Sequence, residues 1–165
     1  MADSLIIIPT FNEKENIEKI IRKVFSLEKL FHILIVDDGS PDGTATIVKE
    51  LQSQFPNQLH IEEREGKLGL GTAYIHGFKW SLQKEYQFIF EMDADFSHDP
   101  NDLIRLYNAN LLEGGELAIG SRYVNGVNIV NWPMSRLLMS FFASKYVKLI
   151  TGMPIHDSTA GFKCY

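Results

Sequence analysis

Short, continuously apolar runs alternate along this chain with longer stretches in which apolar residues recur every three or four positions. Leu5-Ile6-Ile7-Ile8 stays apolar up to Pro9, the pattern of a strand covered on both faces. Asn12, with Glu15 three residues on, predicts the start of a helix whose Ile17, Ile20, Ile21, Val24 and Phe25 share one face. Ile33-Leu34-Ile35-Val36 repeats the buried-strand pattern, residues 37–43 carry turn chemistry, and Thr44 opens a second helix through Ile47, Val48 and Leu51. Farther on, the spacing predicts a weaker strand near 59–63, a helix over 72–83, a strong strand at 88–92, a helix over 101–112, a strand at 117–119 and a helix over 134–150.

Strands alternating with helices of this length imply an α/β fold with a mostly parallel sheet flanked by helices and right-handed crossovers. In such sheets ligands bind outside the carboxyl ends of the strands. The polar clusters fall at those ends: Thr10-Phe11-Asn12-Glu13, Asp37-Asp38-Gly39-Ser40 and Asp93-Ala94-Asp95. They are expected to meet in one crevice.

Composition narrows the class. The 165 residues are 45% hydrophobic and 12% aromatic, enough to bury a core and too apolar for a disordered chain. Sixteen Lys and Arg against 21 Asp and Glu leave a net charge of −5, which disfavours a general nucleic-acid binder. A lone cysteine, Cys164, allows no internal disulfide and no multi-cysteine metal site, so a reducing, cytosolic compartment is the expectation. The N-terminus carries no basic n-region and its apolar run is too short for a signal segment. The apolar stretch 132–155 is interrupted by Arg136, Lys145, Lys148 and Pro154, so no membrane-spanning helix is expected. We read residues 1–165 as one domain, truncated at its C-terminus because the chain stops at Tyr165 without a polar tail or capping signal.

Four motifs carry chemistry. Asp93-Ala94-Asp95 directly follows an apolar strand, so two carboxylates can share a hard divalent cation such as Mg²⁺ or Mn²⁺ on a diphosphate. Alone this would read as a solvated turn; its position opposite a second Asp pair favours the site. Asp37 and Asp38 can serve as acceptors for a base or sugar, or simply shape a turn. The glycine-rich run Gly66-Lys67-Leu68-Gly69-Leu70-Gly71-Thr72 opens a helix but matches neither the dinucleotide fingerprint nor the P-loop. The helix at 134–150 places Met134, Leu137, Leu138, Phe141 and Phe142 on one stripe; such a stripe more often packs into a core, yet a basic amphipathic helix can also rest on an anionic bilayer. His32, His60 and His76 fall in strands or helices, while His98 and His156 fall in loops near acidic residues; none has zinc spacing.

Assembled, Pro9-Thr10-Phe11-Asn12-Glu13, VDDGSPDGT at 36–44, KLGLGTAYIHG at 67–77, MDADFSH at 92–98, Gly120-Ser121-Arg122-Tyr123 and STAGFKCY at 158–165 resemble the family 2 glycosyltransferases of GT-A fold. Within them the chain resembles the dolichol-phosphate (polyprenol-phosphate) mannose synthases. The resemblance implies an inverting transfer of mannose from GDP-mannose to a polyprenyl phosphate, on the cytosolic face of a membrane that the enzyme touches peripherally. It further implies a donor pocket of Pro9, Phe11, Glu13, Val36, Asp38, Lys67, Gly71 and Ala94. It assigns Mg²⁺ or Mn²⁺ to Asp93, Asp95 and Ser97, and places Asp95, Arg122, Arg136 and Lys163 in the catalytic machinery. Two positions depart from the family: Lys163 stands where Arg is usual, keeping the charge but not the bidentate fork, and Ser97 replaces a Gln found in some members. A UDP-sugar donor is the nearest alternative. A haloacid-dehalogenase-like phosphatase, suggested by Asp93-Ala94-Asp95-Phe96-Ser97, requires that motif after the first strand, and a catalytically inert nucleotide-sugar binder would show no donor turnover.

Overall fold

The computed structural model describes residues 2–123 and 134–165. In chain order the elements are β1 (Ser4–Thr10), α1 (Ile17–Phe25), β2 (His32–Asp37), α2 (Thr44–Gln52), β3 (Leu59–Glu63), α3 (Leu70–Ser81), β4 (Phe88–Glu91), α4 (Asp102–Glu113), β5 (Ala118–Ile119), α5 (Met134–Thr151) and β6 (Lys163–Cys164). The strands form one sheet in the order β3-β2-β1-β4-β6-β5. β1 pairs in parallel with β2 and β4, and β2 with β3, while β6 runs antiparallel to both β4 and β5.

Alternate residues of a strand face opposite sides of the sheet, so a continuous apolar run fills two cores at once. Ile6, Ile8, Ile33 and Ile35 meet Ile17, Ile20, Ile21 and Val24 of α1, Val48 and Leu51 of α2, and Leu103 and Leu106 of α4. Leu5, Ile7, Leu34 and Val36 meet Ala73 and Tyr74 of α3 on the other face. The approach of α3 is close: a Cβ on Gly77 would lie 2.6 Å from Cγ2 of Ile7.

Three elements differ from the sequence reading. α1 begins at Ile17 behind Asn16, because Asn12 takes a left-handed backbone (φ 61°) and its N–H goes to Ser40 Oγ rather than into a cap. β6 has no apolar run to announce it. The stripe on α5 is not a core face among the described residues: Met134, Leu138 and Phe142 are 67, 46 and 63% exposed. No helix of the described residues is long and apolar enough to cross a membrane.

Candidate active site

The sheet order reverses direction on either side of β1, and that switch point opens a crevice at the carboxyl ends of the central strands. A cavity of about 250 Å³ lies there, walled by Pro9, Thr10, Phe11 and Glu13 after β1, Asp38 after β2, Lys67, Gly69, Leu70 and Ala73 at the start of α3, and Asp93, Ala94 and Asp95 after β4.

Local hydrogen bonds fix the first wall. The loop after β1 is stitched to the turn after β2: the N–H groups of Asn12, Glu13 and Lys14 donate to Ser40 Oγ, Thr44 Oγ1 and Asp42 Oδ2, each at 3.0 Å. This holds Phe11 and Glu13 on the cavity. Lys67 Nζ lies 4.6 Å from the Phe11 ring centroid, a cation–π contact that ties the glycine-rich loop to the same wall.

The Asp pair after β2 is fully supplied with donors. Asp37 is buried and accepts from Thr10 Oγ1 at 2.8 Å, Ser40 N at 2.8 Å and Ser40 Oγ at 2.6 Å. Asp38 forms an ion pair with Arg64, whose Nε donates to Oδ1 at 2.7 Å, and takes the Leu68 N–H on Oδ2 at 3.1 Å.

Among the described residues, the pair after β4 receives fewer donors. Asp93 receives one side-chain hydrogen bond, from the buried Tyr74 hydroxyl at 3.2 Å, and Asp95 receives the Ser97 N–H at 2.9 Å. Burial, and then the neighbouring Asp95 charge, hold the Asp93 carboxyl above the usual aspartate range. Two crowded carboxylates of this kind suit a hard divalent cation. Among the described residues no group of three or more His, Cys, Asp or Glu could hold a metal by itself. Mg²⁺ typically takes one or two carboxylates and completes its shell with phosphate oxygens and water, so the donor set fits. Directly after the second carboxylate, Phe96 takes φ 58°, an uncommon backbone for an aromatic residue, and turns the chain back so that Ser97 N–H reaches Asp95.

The structure therefore gathers Pro9, Phe11, Glu13, Asp38, Lys67, Asp93, Ala94 and Asp95 around one cavity. Other expected residues lie elsewhere. Val36 is fully buried beneath the cavity against α3 and does not line it. Gly71 is outside the lining, with open space where a Cβ would project. Ser97 is exposed and meets Asp95 through its backbone. Arg122 is buried in a bidentate pair with Asp157, at 2.7 Å on both oxygens, and also donates to Thr159 Oγ1 at 2.7 Å. Burial opposes the Asp157 charge, but Arg122 outweighs it and holds that carboxyl below the usual range. Lys163 Nζ donates to the buried Glu91 at 3.3 Å. Arg136 falls in α5, and its side chain lies outside the described residues. His98 stacks on Phe162, ring centroids 5.0 Å apart, and burial followed by the Arg122 charge pushes its pKa down; His156 is exposed.

Two residues escaped the sequence reading. Tyr74 sits in the KLGLGTAY segment, and the signal that could have found it is a polar hydroxyl on the buried face of α3. Arg64 immediately precedes the glycine-rich loop, and a cation next to a loop facing an Asp pair was the available clue.

A mostly parallel sheet with its crevice at the switch point and an Asp-x-Asp after β4 fits the GT-A architecture. The placement of that motif after β4 removes the phosphatase alternative. The sequence profile described as "Glycosyl transferase family 2" matches residues 5–165, and the chain belongs to that family. It is 48% identical over 162 residues to the polyprenol monophosphomannose synthase of Mycolicibacterium smegmatis, covering 98% of this chain and 61% of that protein. It is 41% identical over 161 residues to the undecaprenyl-phosphate mannosyltransferase of Micrococcus luteus, covering 98% and 65%. The chain thus spans less than two thirds of the length of these curated relatives. Among solved structures, glucosyl-3-phosphoglycerate synthase from Mycobacterium tuberculosis, in complex with Mn²⁺, UDP and glucosyl-3-phosphoglycerate, matches with a TM-score of 0.66 at 16% identity, over 98% of this chain and 55% of that one. A mannosyltransferase from Pyrobaculum calidifontis in complex with GDP-Man and Mn²⁺ matches with a TM-score of 0.58 at 20% identity, over 66% and 32%. At these identities the two structures speak to fold alone.

Proposed function

We propose that this chain is the catalytic domain of a polyprenyl-phosphate mannosyltransferase that uses GDP-mannose as donor. The observation that carries the reading is the contrast inside one cavity: an apolar and hydrogen-bonding wall of Pro9, Phe11 and Glu13 fit for a nucleoside, facing the donor-starved carboxylates Asp93 and Asp95. The identity to two mannosyltransferases with polyprenyl-type names supports mannose and the lipid phosphate.

Phe11 packs against the nucleoside and Glu13 accepts from ribose hydroxyls. Lys67 faces the cavity and supplies positive charge toward the diphosphate. Asp93 and Asp95 would hold Mg²⁺ or Mn²⁺, which when bound would supply charge neutralisation for the departing nucleoside diphosphate. The acceptor is a phosphate monoester whose second pKa is about 6, so it arrives ionised and no general base is required. One in-line displacement inverts the anomeric centre and gives a β-linked lipid phosphate from an α-linked donor. Arg122, Lys163 and Arg136 of α5 are the donors assigned to the acceptor phosphate, Arg122 and Lys163 being oriented by Asp157 and Glu91. The acceptor lipid brings the enzyme to the cytosolic face of a membrane, where α5 offers exposed Leu138, Met139, Phe142 and Leu149 beside Lys145 and Lys148.

Calorimetric titration with GDP-mannose, UDP-glucose and UDP-N-acetylglucosamine, each with and without Mn²⁺, tests the reading. Mn²⁺-dependent binding of GDP-mannose alone supports it, binding of a UDP-sugar in preference moves the donor assignment, and an α-configured product overturns the mechanism.

A further inference from the structure

The guanidinium of Arg64 sits between three elements of the cavity. Its Nε donates to Asp38 Oδ1 at 2.7 Å after β2, its Nη1 to Thr72 Oγ1 at 2.9 Å in the first turn of α3, and its Nη2 to the Gly69 carbonyl at 3.4 Å. The Arg64 and Asp38 side chains are only 8 and 7% exposed. Asp38 then closes the loop from the other side, accepting the Leu68 N–H. The backbone is pressed together at the same place: a Cβ on Gly39 would lie 3.1 Å from Gly66 N and 3.2 Å from the Arg64 carbonyl oxygen.

The segment 66–72 held in this way is not rigid by sequence. Gly66 and Gly69 take φ of 122° and 99°, and Leu68 and Leu70 leave 61 and 56% of their surface in solvent, so apolar packing does not fix it. Yet this segment supplies Lys67, Gly69 and Leu70 to the cavity wall. We propose that Arg64 is a positioning residue for the donor: its fork pins the glycine-rich loop to Asp38 and thereby holds Lys67 over Phe11. The proposal deepens the nucleotide-sugar reading of this cavity and rests on it. Asp38 acts here through Arg64 and Leu68 N–H rather than as a vacant acceptor. A lysine at position 64 keeps the charge but cannot span Asp38 and Thr72 with a planar fork.

The test compares wild type with Arg64→Lys and Arg64→Ala, using GDP as probe. Calorimetry should give GDP binding roughly tenfold weaker in Arg64→Lys, the factor expected from one lost charge-assisted hydrogen bond. Turnover should show a raised KM for the donor with kcat nearly unchanged, and amide exchange at Leu68 should accelerate while exchange in β1 and β2 stays slow. Arg64→Ala should weaken GDP binding at least as much; where it fails to fold, Arg64→Lys decides. Wild-type GDP affinity in a folded Arg64→Lys protein, or kcat falling in step with thermal stability at constant KM, overturns the proposal. Failure of the wild type to bind GDP or UDP brings down the nucleotide reading and this proposal together, whereas wild-type binding with unchanged affinity in Arg64→Lys brings down this proposal alone.

Discussion

The two acidic strand ends look alike in sequence and are opposite in electrostatics. After β2, Asp37 and Asp38 are saturated by Thr10, Ser40, Arg64 and the Leu68 amide. After β4, Asp93 and Asp95 repel each other with, among the described residues, the Tyr74 hydroxyl and the Ser97 amide between them. Carboxylates that the protein has already satisfied hold loops in place; carboxylates that it has left short of donors are where an external cation gains most. A count of acidic residues does not separate the two cases, and a count of the donors aimed at them does.

The largest effect should come from the satisfied pair. Asp37→Ala strands Thr10 Oγ1 and both Ser40 donors, and is expected to cost about 3 kcal/mol at ~1–3 kcal/mol per unsatisfied buried group; urea unfolding measures it, and a loss below 1 kcal/mol breaks the contrast. Asp95→Asn removes a charge from the starved pair and should leave the unfolding curve close to wild type. Its apparent Mn²⁺ affinity should fall by about 100-fold, since even outer partners of metal ligands are worth ~10–100-fold. Tyr74→Phe deletes the hydroxyl that donates to Asp93 and is expected near the lower end of that range, about tenfold in Mn²⁺ affinity.

The smallest effect sharpens the contrast through its sign. Because Asp93 titrates above its unfolded value, the native state retains a proton that the unfolded chain has released. The stability this group contributes is present below pH ~4 and is lost as pH rises through the folded pKa. Without metal at pH 7, Asp93→Asn should therefore be somewhat more stable than wild type, the reverse of Asp37→Ala. In the wild type, Mn²⁺ affinity should decline on acidification from a higher pH than an ordinary aspartate would allow, because proton and metal compete for the same oxygens. Thermal melts of apo and Mn²⁺-loaded protein between pH 4.5 and 7.5 check both statements.

Most of the fold was legible because β1, β2 and α1 announce themselves: a run buried on both faces has no polar residue to confuse it, and α1 repeats its isoleucines at helical spacing. The cavity residues at the ends of β1 and β4 followed from the same strands. What could not be read depends on partners distant in sequence. Lys163-Cys164 becomes a strand only because β4 and β5 offer edges to it. The Asn12 cap failed because the backbone turns left-handed at Asn12 and the helix starts only behind Asn16. Arg64 gained meaning from Asp38, 26 residues away, and Arg122 from Asp157, 35 residues away. The core reading of the α5 stripe failed because periodicity reports that a face is apolar without reporting what covers it.

The close approach of α3 to β1 also sets a rule for anyone engineering this scaffold. Helical glycines are common targets for replacement by alanine, which recovers roughly 1 kcal/mol of helix propensity. At Gly77 that gain would be outweighed, because the new methyl collides with Ile7 and levers α3 off the sheet, carrying the Tyr74 hydroxyl away from Asp93. At Gly71, six residues earlier on the same helix, nothing within 4 Å opposes a methyl. The same replacement is thus free in the fold at one position and forbidden at the other, so a stabilised Gly71→Ala protein that no longer takes a nucleotide would locate a ligand contact by its steric shadow alone.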